Sequence, residues 1–262
     1  MIETHVDRAR TAVEREREVL SEERSAYETF RRRVESLSAA EMGHGGGVGG
    51  ARGGVVSRTA HGDASGGACE QVREAFAETV RPYSVDDVGD EPLLETIREE
   101  LGDGIALALA PTTETAFTPE TKGAILTATR ERRRGIDATI DALESEAESL
   151  RAVGEAVGEI TDWLATADET PLSELGFEAL RERHDRLAEF RDRCEGLLDD
   201  RQELLLTTTG RNQSADVAHR TLVRYLYSSL PVVYPVLSTV TRLYDLLAEC
   251  QRAVRAHLTR RA

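Results

Sequence analysis

The sequence predicts an all-α fold: an elongated helical bundle built on a long antiparallel, coiled-coil-like hairpin. Three observations predict it. Apolar residues recur every seven positions over residues 6–34 and again over 136–164, the spacing that keeps one seam of a helix against a neighbour. No proline interrupts the chain between Pro119 and Pro171. Only a short turn at Thr170-Pro171 separates that run from a second one ending near Leu206, and so short a connection makes the two helices antiparallel neighbours.

The first segment, residues 1–41, reads as one long amphipathic helix over residues 2–38. Val6, Val13, Leu20, Tyr27 and Val34 form its seam, and Ile2, Ala9, Phe30 and Leu37 a companion row. Glu16 and Glu23 interrupt that row, and Arg10, Arg17, Arg24 and Arg31 run beside it. Residues 42–68 hold eleven of the 21 glycines and read as a flexible linker, because glycine makes a helix expensive. Gly45, Gly47 and Gly50 match a dinucleotide-binding spacing, but that motif needs a strand before it and a helix after it, and neither is expected here.

Residues 69–118 follow as short acidic helices. Residues 69–81 form an amphipathic helix stopped by Pro82. Asp90-Glu91-Pro92 opens another, with Asp as cap and Pro in the first turn, carrying Leu93, Leu94, Ile97 and Leu101 on one face. The apolar run 105–110 suits a buried helical turn or a short strand equally well. Thr118-Pro119 then starts the hairpin, residues 119–206. Ile136, Leu143, Leu150, Val157 and Leu164 mark the seam of its first arm; Ile140 and Ala147 extend the next row, which Gly154 and Thr161 weaken. Leu180, His184, Leu187, Cys194, Leu197, Leu198, Leu204 and Leu205 stripe the second arm. After a break at 207–212, the segment 207–262 is basic and tyrosine-rich, and Pro231 and Pro235 divide it into a helical pair.

Charge is the other strong signal. The chain of 262 residues carries 48 acids against 33 basic residues, a net −15, and Lys122 is its only lysine. Excess carboxylate keeps a surface hydrated but repels itself; molar salt shortens the screening length to ~3 Å and removes that penalty. The composition therefore suits a salt-rich cytoplasm. The charge is uneven. Residues 69–104 hold eleven acids and three arginines, −8, whereas residues 214–262 hold three acids and seven arginines, +4. This contrast suggests that the two segments dock on each other. Arg224, Arg252, Arg255, Arg260 and Arg261 form a candidate interaction surface.

Catalytic chemistry is not expected. His5, His44, His61, His184, His219 and His257 lack paired metal-ligand spacing, and no phosphate-binding loop or nucleophile elbow occurs. Cys69, Cys194 and Cys250 are an odd, dispersed set that reads as small apolar residues. No cofactor and no metal are expected. The N-terminus lacks a secretory pattern, and no apolar run approaches the ~20 residues of a membrane span.

The stretches Leu222-Val223-Arg224-Tyr225-Leu226-Tyr227 and Leu230-Pro231-Val232-Val233-Tyr234-Pro235-Val236-Leu237-Ser238-Thr239-Val240, with Glu91-Pro92-Leu93-Leu94-Glu95-Thr96-Ile97, resemble a family of haloarchaeal, coiled-coil-rich helical proteins of unknown function. The resemblance implies a halophilic archaeal origin and a helical fold, and no activity. The expectation is a structural or interaction protein presenting helical surfaces to a protein partner or to a second copy of itself. The alternative is a DNA-associated or transcription-regulatory factor using the basic C-terminal helices. A third, weaker reading is peripheral membrane contact through residues 225–236.

Overall fold

The computed structural model describes residues 4–39, 63–84, 91–112, 116–206, 208–209 and 217–260. Among them the chain is all-α, in the order α1 (His5–Ser36), α2 (Asp63–Thr79), α3 (Arg81–Ser84), α4 (Leu93–Leu101), α5 (Asp103–Ala108), α6 (Pro119–Asp168), α7 (Phe177–Leu206), α8 (His219–Leu226) and α9 (Pro235–Leu258). A single two-residue ladder interrupts the helices. β1 (Thr208–Thr209) pairs antiparallel with β2 (Val217–Ala218), Thr208 opposite Ala218. None of the described helices is long and apolar enough to cross a membrane.

The chain divides into two compact units, one of Met1–Glu18 with Ala138–Ala262, the other Val19–Asp137. Helices α1 and α6 contribute to both. In the first unit α1 runs antiparallel to α6. Arg17 meets Glu144 at 3.1 Å, and Val6 and Arg10 flank Gly154, where an added Cβ would lie 4.0 Å from each side chain. Val6, Ala9 and Val13 are buried on this seam, as are Leu143 and Leu150. The opposite face of α6 packs on α7, also antiparallel. Glu159 takes Arg193 at 2.5 Å and Arg186 at 3.5 Å, and Trp163 meets the Phe190 ring edge-on with centroids 5.3 Å apart. Helix α7 lays its other side along α9, where Arg191 stacks on Tyr244 and donates to its hydroxyl and to Gln251.

In the second unit the C-terminal half of α1 and the N-terminal half of α6 are again antiparallel. Arg24 pairs with Asp137 at 2.7 Å and Arg133 with Glu28 at 2.5 Å. The lone lysine closes this seam: Lys122 Nζ donates to the carbonyls of Glu35 and Leu37, each at 2.7 Å. The last carbonyls of α1 lack intrahelical donors and carry partial negative charge, so a compact ammonium with rotatable donors suits them better than a planar guanidinium. Helix α2 packs on the same helix through an edge-on Phe30–Phe76 contact at 5.5 Å.

Glu23, which interrupts the sequence seam, is buried and lies 3.8 Å from Arg132. Arg132 also pairs with Glu100 at 2.7 Å, and Tyr27 donates to the same Glu100 carboxylate. The glutamate is thus paired at the edge of the core, through an Arg132 that is itself half exposed.

Several local expectations change. Helix α2 begins at Asp63, so residues 63–68 extend a helix into the glycine-rich stretch. Ala68, Cys69 and Val72 are buried, and packing outweighs the roughly 1 kcal/mol that each helical glycine costs. Pro82 does not end the helical path, because it sits in the first turn of α3, where its missing N–H is harmless. At α4 the cap position holds Pro92, with no side-chain cap bond; the expected cap Asp90 lies outside the described residues. The ambiguous run 105–110 is mostly the short helix α5. Gly102, at φ +100, makes the corner between α4 and α5, a backbone region that side chains with a Cβ rarely adopt. The acidic stretch 69–104 belongs to the second unit and residues 214–262 to the first, and each builds a core there. Ile2, the glycine spacing at 45–50 and the rest of the linker to residue 62 lie outside the described residues.

Candidate functional site

The most deeply buried charged cluster lies in the first unit and centres on Glu146 of α6. Its side chain has no solvent exposure, nor has that of His219, and Arg201 is 1% exposed. Oε2 accepts from Arg201 Nη1 at 2.6 Å and from His219 Nε2 at 2.8 Å. Oε1 accepts from Arg201 Nη2 at 2.9 Å and from the Tyr227 hydroxyl at 2.5 Å. The Arg201 fork is bidentate, the strongest geometry available to such a pair. Burial on its own would push the carboxyl up. The bonds from His219, Arg201 and Tyr227 outweigh it and hold Glu146 down to about 2. The same burial, with the neighbouring Glu146 charge, drives the Tyr227 hydroxyl well above its ordinary 10.0.

The local sequence explains the placement. Glu146 falls between Leu143 and Leu150 on the buried face of α6, at three- and four-residue steps. Arg201 continues the seven-residue series Leu180, Leu187, Cys194 on α7, all of them buried. Two buried faces of antiparallel neighbours therefore bring opposite charges together. His219 is the first residue of α8, and Tyr227 follows its last. One carboxylate thus ties α6 to α7 and to both ends of α8. All four of its hydrogen bonds come from within the protein, so this arrangement fixes structure; it presents no free lone pair to a substrate.

The second feature is the surface of α8 and α9. Arg224, Arg252, Arg255 and Arg260 are exposed, and Arg261 lies outside the described residues. Arg252 reaches Glu249 only at 3.8 Å. Among the described residues, Arg224, Arg255 and Arg260 have no carboxylate within ion-pair distance. Arg220 and Arg242, not singled out from the sequence, are exposed, and among the described residues they too have no carboxylate within ion-pair distance. Arg220 stands one turn before Arg224, a spacing that puts both on one face. Of the other sequence candidates, His184 on the apolar stripe is half-buried, beside Asp185. Cys69 and Cys194 are buried and Cys250 partly so, all as free thiols; burial raises each of them. Among the described residues no group of three or more His, Cys, Asp or Glu is placed to hold a metal ion.

Comparison with known families matches residues 4–251 to a single family model, described as a domain of unknown function (DUF7260). The match spans nearly the whole chain, and the chain belongs to that family. No curated protein and no solved structure matches it.

Proposed function

We propose that this member of the DUF7260 family is a helical interaction protein without catalytic chemistry of its own, and that the basic surface of α8 and α9 receives an acidic protein partner. One observation carries the reading: among the described residues, the exposed arginines of α8 and α9 have only one carboxylate within ion-pair distance, Glu249 at 3.8 Å from Arg252, on a chain of net charge −15. On the long helices many arginines do meet carboxylates, as at Arg17–Glu144, Arg24–Asp137 and Arg193–Glu159, although Arg15, Arg130, Arg134 and Arg151 have none within ion-pair distance among the described residues. What sets α8 and α9 apart is that their unpaired arginines stand on a segment of net charge +4. An unmatched guanidinium fork retains its full capacity for carboxylates. The sites where an enzyme would hold a reactive carboxylate point the same way, since Glu146 is saturated by its own neighbours.

The composition supports operation in a salt-rich, haloarchaeal cytoplasm. In molar salt only charges in near contact attract, which favours direct Arg–carboxylate pairing over long-range steering. Helicity that rises from dilute buffer to molar KCl is the expected sign of that setting; a flat response removes it.

The test is capture from cell extract in concentrated KCl. The bait is the full chain, compared with the variant Arg220→Glu, Arg224→Glu, Arg252→Glu, Arg255→Glu. Loss of specific acidic proteins from the variant supports the reading, and identical captured sets overturn it. The arginine pair on one face of α8 also fits phosphates, which is the second reading. Binding of duplex DNA that weakens steeply with salt and vanishes in the same variant would replace the protein partner with nucleic acid.

A further inference from the structure

The first unit contains a cavity of about 200 Å3 beside the turn between α6 and α7. Trp163, Leu164 and Ala167 of α6, Leu187 of α7 and Ala253 and Val254 of α9 give it carbon walls. A space of that size equals the share of roughly seven waters at about 30 Å3 each, but walls of this kind offer water few partners, and an apolar body fits them better.

Arg183 lines the same cavity, and its position on α7 is unlike that of the other arginines there. Arg181, Arg186, Arg193 and Arg201 each pair with a carboxylate. Arg191 donates from both terminal nitrogens, to Gln251 and to Tyr244. Half-buried Arg183 has only the Thr170 carbonyl, at a long 3.4 Å, and no carboxylate within ion-pair distance among the described residues. Asp168 also borders the space and sets a limit on the anion: a single carboxylate near Arg183 is tolerated better than a dianion. The cleft is open, with Asp168 and Ala253 exposed, so the Arg183 guanidinium keeps donors available at the edge of an apolar surface, and a ligand carboxylate would engage them.

We propose that this cavity binds a small monocarboxylate with an apolar body, such as a short acyl or aryl acid. The body lies against Trp163, Leu187 and Val254, and the carboxylate accepts from the Arg183 guanidinium.

Trp163 is the only tryptophan of the chain, so its fluorescence reports on the cavity directly. The full chain is titrated with octanoate, 1-octanol and octylamine, and equilibrium dialysis of octanoate measures binding independently. Saturable octanoate binding is expected, at least about tenfold tighter than octanol, the size of a charge-assisted hydrogen bond lost. Octylamine should bind weakest. Arg183→Gln should erase the preference for octanoate over octanol while leaving helicity unchanged. Ala253→Phe, which fills the space from an exposed position, should abolish binding of both. Failure of octanoate to bind by dialysis, equal affinity for octanoate and octanol, or a preference that survives Arg183→Gln would overturn the proposal.

Discussion

Glu146→Gln is the sharpest perturbation available, because it changes one charge and almost no volume. Both carboxylate oxygens accept from Arg201. Whichever way the amide turns, its NH2 group faces a guanidinium nitrogen and one further donor, either His219 or the Tyr227 hydroxyl. One guanidinium donor is orphaned, His219 or Tyr227 must turn from donor to acceptor, and the Arg201 charge is left buried without its counter-ion. Breaking a buried pair in this way costs about 3–5 kcal/mol.

The acid limb gives an independent figure. Glu146 sits at about 2 in the fold against an ordinary 4.5. At about 1.4 kcal/mol per pH unit, that separation is worth about 3 kcal/mol. Because the folded value is depressed, the stabilisation is complete above pH 4.5 and fades as pH falls towards 2. Exposed pairs such as Arg193–Glu159, both partners near half exposed, are each worth only about 0–1 kcal/mol, so they do not mask the effect. The assay is urea unfolding followed by circular dichroism in KCl, for wild type and variant, between pH 7 and 2. The variant should lose about 3–5 kcal/mol at pH 7 and should lack the 4.5-to-2 decline that wild type shows. The double variant Glu146→Leu, Arg201→Met should recover only part of the loss, since an apolar pair removes both buried charges but leaves the His219 and Tyr227 donors without an acceptor. A penalty below about 1 kcal/mol for Glu146→Gln, or parallel acid limbs in the two proteins, would refute the reasoning.

The same physics yields further expectations. Lys122→Met should cost about 1 kcal/mol in urea unfolding by uncapping α1, and Lys122→Arg should restore only part of it. Burial and the adjacent Glu100 and Glu146 charges push the hydroxyls of Tyr27 and Tyr227 far above the usual 10.0. These two should therefore stay protonated in an ultraviolet titration until the chain unfolds. A raised folded value gives stabilisation that is intact below pH 10 and lost as pH rises beyond it, so unfolding should ease above pH 10. Gly196, exposed in the middle of α7 with open space where a Cβ would go, should become Ala with a gain of about 0.5–1 kcal/mol, read as a higher melting temperature.

Periodicity made the long helices legible. Val6, Val13, Tyr27 and Val34 are buried, as are Ile136, Leu143 and Leu150, because a seven-residue apolar repeat leaves a helix few other places to put that face. The match drifts further along α6: Val157 and Leu164 are only partly covered, whereas Val153, Ala156 and Ile160 are buried, as expected when a helix of about 3.6 residues per turn slips against a seven-residue count. Periodicity alone did not say what α1 packs on, since a seam defines a face and not a partner; the arginine–carboxylate pairs with α6 supply that. The start of α2 was hidden by glycine composition, which reports local propensity and not the packing of Ala68 and Cys69.

The Glu146 cluster was missed for a more instructive reason. The carboxylates at regular helical spacing on α6, Glu144, Glu148, Glu155 and Glu159, are all exposed, and Glu144 and Glu159 make exposed pairs with Arg17 and Arg193. The informative glutamate was the one inside the apolar stripe. Arg201, one heptad beyond Cys194, carried the matching signal on α7. A charge on each of two seams expected to face one another is a prediction of a buried pair. His219 and Tyr227 had no comparable mark, because their convergence depends on the short turns around α8. The basic surface was legible as a net charge on residues 214–262, whereas Arg220 and Arg242 emerged only once exposure and pairing could be seen.

One carboxylate ties α6 to α7 and to both ends of α8, and the three helices should therefore open together. Native-state hydrogen exchange of the wild-type chain in KCl measures this directly. The amides of Val223, Leu226 and Tyr227 should exchange with the same opening free energy as those of Leu143 to Val153 on α6, and the same urea dependence. Exchange of the α8 amides at a much lower free energy, with α6 still protected, would contradict it.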